Sequence, residues 1–456
     1  MLNLGRPACT VAKSRITAIF TSLLSRSTFE TMSTSPSKKP KLFENSEEGW
    51  HVAASLEAKN TINPIRAILD QMTTKPNPDF KTILLSLGDP TNPEYNFLPP
   101  LPEMISAVKE SFDCGKYHGY DKSFGMDSAR AALAEKYSKG SKVPLTKEDV
   151  LLTSGGCSGA LDIALRTLAT SGENVLLPTP GFSIYKTITG GSGIIAKEYQ
   201  LLPDKSWEID LDDLESQIDE KTKAIVVNDP SNPCGSVYSR EHKEAILQLA
   251  LKHRLPIVSD EVYSDTVFPG VTYYSFSSLS DNVPIITCDS LGKRYLVPGW
   301  RMGWIVLHDR HGVLAKEFVP GLINMTRVHL GSCAPIQAAL PEILAKTPET
   351  FFASVGGKLK RHAEVSYSAL SQCVGLVPIM PQGSLYMMIG IDTKVLDFKD
   401  EIDFCTRLYG EYSVRCLPGS CFRYKNYFRI VIAASEENLQ EACGRIKEFC
   451  SKNQRK

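Results

Sequence analysis

Net charge is the first thing this sequence lacks. Lysine plus arginine and aspartate plus glutamate both total 51, so no excess field favours nucleic acid or an anionic membrane. Long apolar runs are missing too. None approaches the ~18 residues of a membrane span, and the chain reads as soluble. The 12 cysteines contain no C-x-x-C pair, and Cys416 and Cys421 have no second pair with which to complete a zinc site. Several sit in apolar segments, as Cys288 does in "PIITCDS". They read as reduced, mostly buried thiols of an intracellular protein. The 8 histidines lack metal spacing, and His308 and His311 in "HDRH" are expected on a loop after a strand. Repeats and low-complexity tracts are absent beyond the N-terminal tail. What remains is an ordinary globular profile, 42% hydrophobic and 22% charged, in 456 residues. That length suffices for two or more packed units.

The start of the chain lacks acids. No Asp or Glu precedes Glu30, while Arg6, Lys13, Arg15 and Arg26 stand among serines and threonines. This composition fits either a mitochondrial transit peptide or a disordered tail over residues 1–45, with Met32 as an alternative start. The location is accordingly read as cytoplasmic or mitochondrial.

From about Asp149 onward, short apolar runs alternate with segments of helical periodicity. "DVLLTSGG" leads into "ALDIALRTLA", then come "NVLLPTPGF", "KAIVVNDPSNPCG", "REHKEAILQLALKH", "LPIVSDEVYSD", "VPIITCDSLGK" and "RMGWIVL". That alternation predicts βαβ units and a mainly parallel sheet with helices on both faces. Beyond about residue 330 the texture changes. A long helical stretch leads to a strand pair in "GLVPIMPQGSLYMMIGI", and "YFRIVI" then precedes a last helix. The expected organisation is a tail (1–45), an arm that also supplies part of a small domain (46–97), a large α/β domain (98–329) and a smaller α+β domain (330–456).

In a parallel sheet the ligand crevice lies beyond the carboxyl ends of the strands. Polar or glycine-rich residues follow five predicted strands: Ser154, Gly155 and Gly156; Phe182; Asn228 and Asn232; Asp260 and Tyr263; Ser290 and Lys293. The "TSGGCSG" turn places several N–H groups at a helix start, which suits an anion but equally makes a plain tight turn. It matches neither G-x-x-x-x-G-K-[ST] nor G-x-G-x-x-G, which disfavours a nucleotide there. Ser290 and Arg301 flank Lys293 and offer the rest of a phosphate cradle. Asp260, ending the apolar run "PIVS", needs a partner, and a heteroaromatic nitrogen would be one. A phosphate cradle, a lysine and a buried aspartate together describe a pocket for pyridoxal 5'-phosphate. A water-poor site with nearby cations would keep the amine of Lys293 nucleophilic. The competing reading of Lys293 is a surface charge snorkelling beside apolar neighbours.

"SLGKRYLVPGWRMGW" resembles the cofactor-lysine signature of the class I pyridoxal-phosphate aminotransferases. "NDPSNPCGSVYS", "SDEVYSD", "PGFSIYK" and "NPIRAILDQM" are similar to members acting on tyrosine, and the likeness runs from about Trp50 to about Cys450. It implies fold type I and a role for each matched residue. Lys293 would form the Schiff base and move the Cα proton. Asp260 would partner the pyridinium, with Asn232 and Tyr263 on the cofactor's phenolic oxygen and Phe182 on its ring. Ser154, Gly155, Gly156, Cys157, Ser158, Ser290 and Arg301 would hold the phosphate. The turn looks one residue longer than is usual in the family, which leaves its donors open. Tyr120 would reach the phosphate of a neighbouring subunit, making a homodimer with shared sites. Arg429 would clamp the substrate carboxylate, with Gly88, Asn232 and Arg66 as further substrate contacts.

The implied reaction is ping-pong transfer of the amino group of L-tyrosine to 2-oxoglutarate, giving 4-hydroxyphenylpyruvate and L-glutamate. A broad aromatic or an alanine aminotransferase stays open, as does a carbon–sulfur or aminocyclopropane-forming lyase on the same scaffold.

Overall fold

The computed structural model describes residues 52–455 apart from 96 and 143. The transit-peptide reading and its Met32 alternative lie outside these residues. Among the described residues no helix is long and apolar enough to cross a membrane. The described cysteines are unpaired, and most are buried.

A short strand, β1 (Ile83–Leu84), precedes the main sheet, whose strands are β2 (Val150–Ser154), β3 (Asn174–Thr179), β4 (Ile195–Leu202), β5 (Glu208–Ile209), β6 (Thr222–Asn228), β7 (Ile257–Asp260), β8 (Ile285–Ser290) and β9 (Met302–His308). They lie side by side in the order β2-β9-β8-β7-β6-β3-β4-β5. The run β8-β7-β6-β3-β4 is parallel, while β9 and β5 run against it. The parallel strands are short and apolar because both faces are covered. Ile225, Val227, Ile257 and Ile285 pack toward the helix Arg240–Lys252. Val226, Val258, Ile286 and Ile305 pack toward the helix Cys157–Leu168. The former helix starts at Ser239, whose side chain accepts from the His242 N–H, a local cap that fixes where strand chemistry ends and helix begins.

The smaller sheet is antiparallel. Its strands β10 (Leu376–Pro378), β11 (Tyr386–Ile391), β13 (Leu417–Pro418) and β14 (Tyr427–Val431) lie in the order β10-β11-β14-β13. The segment Val414–Arg415, β12, pairs in parallel with β1, so the chain before the main sheet joins the chain that follows it. The helices Glu349–Leu370, Glu401–Tyr412 and Glu436–Lys452 share one core with this sheet through Leu359, Phe404, Leu408, Leu439, Ile446 and Phe449.

Two local expectations change. The long helical stretch is broken into Ala334–Lys346 and Glu349–Leu370 at Thr347 and Pro348, since the residue before a proline is driven out of the helical region. His308 is not on the following loop. It is the last residue of β9, and burial pushes its imidazole down to about 4. His311 is exposed beyond the strand.

Candidate active site

The C-terminal ends of β6, β7 and β8 face the small sheet across a cavity of about 270 Å³. The cavity is lined by Lys293, Asp260, Tyr263, Asn232, Phe182, Ser290, Arg301 and Arg429, together with Gly88, Cys157 and Ser158. Residues scattered over more than 340 positions of sequence therefore meet at one rim, as the switch-point rule for parallel sheets requires.

Lys293 sits in the short helix Leu291–Arg294 that follows β8, with Ser290 as its N-cap. Its Nζ donates to the carbonyl of Gly88. Asp260 ends β7, almost without exposure, and receives only neutral donors. These are the Tyr185 hydroxyl at 2.6 Å and, more distantly, the Cys157 thiol at 3.4 Å and the Val262 N–H at 3.4 Å. Burial pushes its carboxyl up to about 6, and these donors hold it back from rising further. A protonated ring nitrogen facing it would restore the charged form.

Asn232 lies on the turn after β6. Its N–H donates to Asn228 Oδ1 at 2.7 Å, and Asn228 in turn donates to the carbonyl of Asp260 at 3.1 Å. One amide side chain thus ties the turn to the neighbouring strand. The Asn232 Oδ1 accepts from Arg429 Nη1 at 2.8 Å. Arg429 stands on β14 opposite Met388, buried, with its Nη2 on the Ser86 carbonyl at 2.6 Å. Its Nε has no partner, and no ion pair to Arg429 is present among the described residues. Burial pulls the guanidinium down, opposed by the phenols of Tyr386 and Tyr263. A buried, uncompensated arginine with a free donor is a receptor for a carboxylate.

At the other end, Arg301 lies over the "TSGG" turn. Its Nη1 donates to the Pro298 carbonyl at 2.9 Å, and Nη2 donates to the Gly155 carbonyl. Gly156 has φ +69, a conformation that favours glycine, and a Cβ there would press on the Arg301 guanidinium at 3.2 Å, so the bare backbone eases the approach of turn and arginine.

The turn whose donors the sequence leaves open meets the cavity at its helical end. Cys157 and Ser158, the first residues of the helix, line the cavity; Ser154, Gly155 and Gly156 do not. The Ser154 hydroxyl instead donates to the Gly331 carbonyl at 3.1 Å. Tyr120 and Arg66 are also absent from the wall. Tyr120 is 92% exposed, and Arg66 points to solvent while its neighbour Ile65 faces the cavity.

Sequence reasoning missed Tyr386, which opens β11, lines the cavity and puts its ring 4.1 Å from the Arg429 guanidinium. It also missed Tyr185 as the partner of Asp260, although "PGFSIYK" contains it. The apolar part of the wall, Ile65, Leu87, Leu161 and Leu417, comes from four separate segments and has no motif of its own.

The donor set fits pyridoxal phosphate. Asp260 offers a buried acceptor without a cation, Lys293 an amine, Phe182 a ring face, and Arg301 with Ser290 and the helix start at Cys157 and Ser158 a cationic and N–H-rich end.

A family model described as aminotransferase class I and II matches residues 81–446. The tyrosine aminotransferase of Mus musculus is 47% identical over 405 residues, covering 89% of this chain and 88% of the relative. The crystal structure of the tyrosine aminotransferase from Leishmania infantum superposes with a TM-score of 0.85 at 30% identity, over 90% of this chain and all of that one. An alanine aminotransferase from Pyrococcus furiosus superposes at 0.81 and 27% identity, over 88% of this chain. The chain belongs to the class I and II aminotransferases.

Proposed function

We propose that this protein transfers the amino group of L-tyrosine to 2-oxoglutarate, releasing 4-hydroxyphenylpyruvate and L-glutamate in two alternating half-reactions at one site. The observation that carries this reading is the convergence of Lys293, Asp260 and Arg429 on one cavity, each without an ion-pair partner among the described residues. The kinship with tyrosine-directed relatives favours the aromatic donor.

Pyridoxal phosphate, when bound, supplies the electron sink that acidifies the substrate Cα–H and carries the amino group from one half-reaction to the next. Lys293 would hold it covalently, Asp260 would keep its ring nitrogen protonated, and Asn232 and Tyr263 would face its phenolic oxygen. The rest of the work belongs to the chain's own groups. Arg429 takes the substrate carboxylate through paired donors and so fixes the orientation of Cα. The Lys293 Nζ takes the Cα proton and delivers it at the other end of the same half-reaction. Ile65, Leu87 and Leu417 exclude water and offer an apolar wall to an aromatic ring. The exposed phenol of Tyr120 supports a homodimer in which it completes a neighbouring site.

The test is the visible spectrum of the cofactor-loaded protein. The yellow band should bleach with L-tyrosine and return with 2-oxoglutarate. Bleaching with alanine but not tyrosine would keep the chemistry and change the donor. Release of ammonia or pyruvate with no 2-oxo acid acceptor would favour a lyase. A protein that stays colourless with excess pyridoxal phosphate would overturn the cofactor assignment.

A further inference from the structure

We infer that Tyr386 is a positioning residue that ties the phenol of Tyr263 to the guanidinium of Arg429, coupling the cofactor side of the cavity to its carboxylate side. The inference rests on the function proposed above. Tyr386 lies two residues from Met388, the register partner of Arg429, so ring and guanidinium share one face of the small sheet. The Arg429 guanidinium lies 4.1 Å from the centroid of Tyr386 and 4.7 Å from that of Phe422. The Tyr386 hydroxyl lies 2.9 Å from that of Tyr263, with the rings edge to face at 5.7 Å. One side chain therefore touches both functional groups.

Position 88 is shaped around this contact. A Cβ on Gly88 would stand 2.8 Å from the Tyr386 Cζ and closer still to its hydroxyl, so the missing side chain and the phenol are complementary. The same glycine accepts from Lys293 through its carbonyl.

Both phenols are buried, at 2% and 4% exposure, so each hydroxyl needs a partner. When Tyr386 donates to Tyr263, the Tyr263 proton is left free for the phenolic oxygen the cofactor would present, and the two bonds would reinforce each other. Without the Tyr386 hydroxyl, Tyr263 becomes a weaker and less directed donor. More electron density then stays on the phenolic oxygen, which holds the proton on the adjacent cofactor nitrogen more tightly. The other charged or titratable groups facing Tyr263 are Asp260 at the end of β7 and Arg429 on β14, and Tyr386→Phe leaves both in place.

The experiment is a pH titration of the visible band of the holoenzyme without substrate. Tyr386→Phe should raise its midpoint by about 0.5–1 pH unit, the equivalent of one hydrogen bond. kcat should fall several-fold with KM for L-tyrosine unchanged, because the ring still covers Arg429. Tyr386→Leu, which removes the ring as well, should raise KM in addition. In a Tyr263→Phe background, Tyr386→Phe should add little further shift. An unmoved midpoint, or shifts that add in full, would overturn the inference. If Tyr386→Phe does not fold, Gly88→Ala, which displaces the same hydroxyl, is read by the same titration with the same two outcomes. Since the titration itself uses no substrate, failure of the tyrosine reading would show separately as a wild-type band that ignores L-tyrosine.

Discussion

Arg294 and Arg429 are both buried, and they are treated in opposite ways. Arg294, one residue after Lys293, meets Asp289 at 2.7 Å and Asp265 at 3.0 Å, and these carboxylates drive its guanidinium well above its ordinary value. Arg429 meets no carboxylate among the described residues, only an amide, a carbonyl and two aromatic faces, and burial pulls its guanidinium down. The buried aspartates divide the same way. Asp229 meets Lys243 at 2.5 Å, whereas Asp260 receives only neutral donors. Charges that hold this fold are paired within it. Charges assigned to the proposed chemistry are left for a ligand to complete, at a cost in stability that the ligand would offset.

Substitutions should separate the two classes. The largest effect is expected at Lys293, where Lys293→Ala should reduce kcat/KM by about 10²–10⁴-fold from lost proton transfer alone, with the fold intact by circular dichroism. Arg429→Leu should lower kcat/KM for L-tyrosine by about 30- to 4,000-fold, the range set by losing one partner of a buried charge pair. Arg294→Leu inverts the pattern. It strands Asp289 and Asp265 and should cost about 3–5 kcal/mol of stability in urea, with KM for tyrosine nearly unchanged.

The smallest effect concerns Asp260 and pH. Its folded value of about 6 lies above its ordinary 3.8, so the ligand-free folded chain binds this proton more tightly than the unfolded chain does. Charging Asp260 therefore weakens the fold as pH climbs from about 4 to about 6. Asp260→Asn removes that slope. The stability of the variant relative to wild type should rise across this window by on the order of 2–3 kcal/mol and level off above it, as read from urea midpoints at each pH.

The parallel sheet and its rim were legible in the sequence because each strand is a short apolar run ending in the residue that matters: Asn228, Asp260 and Ser290 stand at the last position of β6, β7 and β8. Lys293 and Arg301 follow at short range, so local pattern carries them to the cavity. Arg429 was legible only through family likeness, since a lone arginine in an apolar strand has no local signature. Tyr386 was not read at all. Its role comes from antiparallel register between strands some 40 residues apart, which periodicity cannot supply. "GSLYMMIGI" did contain the signal, a polar ring opening a strand that is otherwise apolar. Tyr120 and Arg66 were read as site residues from family likeness and stand outside the cavity wall, Tyr120 almost fully exposed and Arg66 on the outer side of its helix.

The most direct test of the division between paired and waiting charges is the urea midpoint of cofactor-free Arg429→Leu beside that of Arg294→Leu. If Arg429 is held unpaired for a substrate carboxylate, its variant should stay within about 1 kcal/mol of wild type, relief of an uncompensated buried charge offsetting two lost hydrogen bonds, while Arg294→Leu falls far below. Equal losses in the two variants would mean that Arg429 is as structural as Arg294, and would contradict the account.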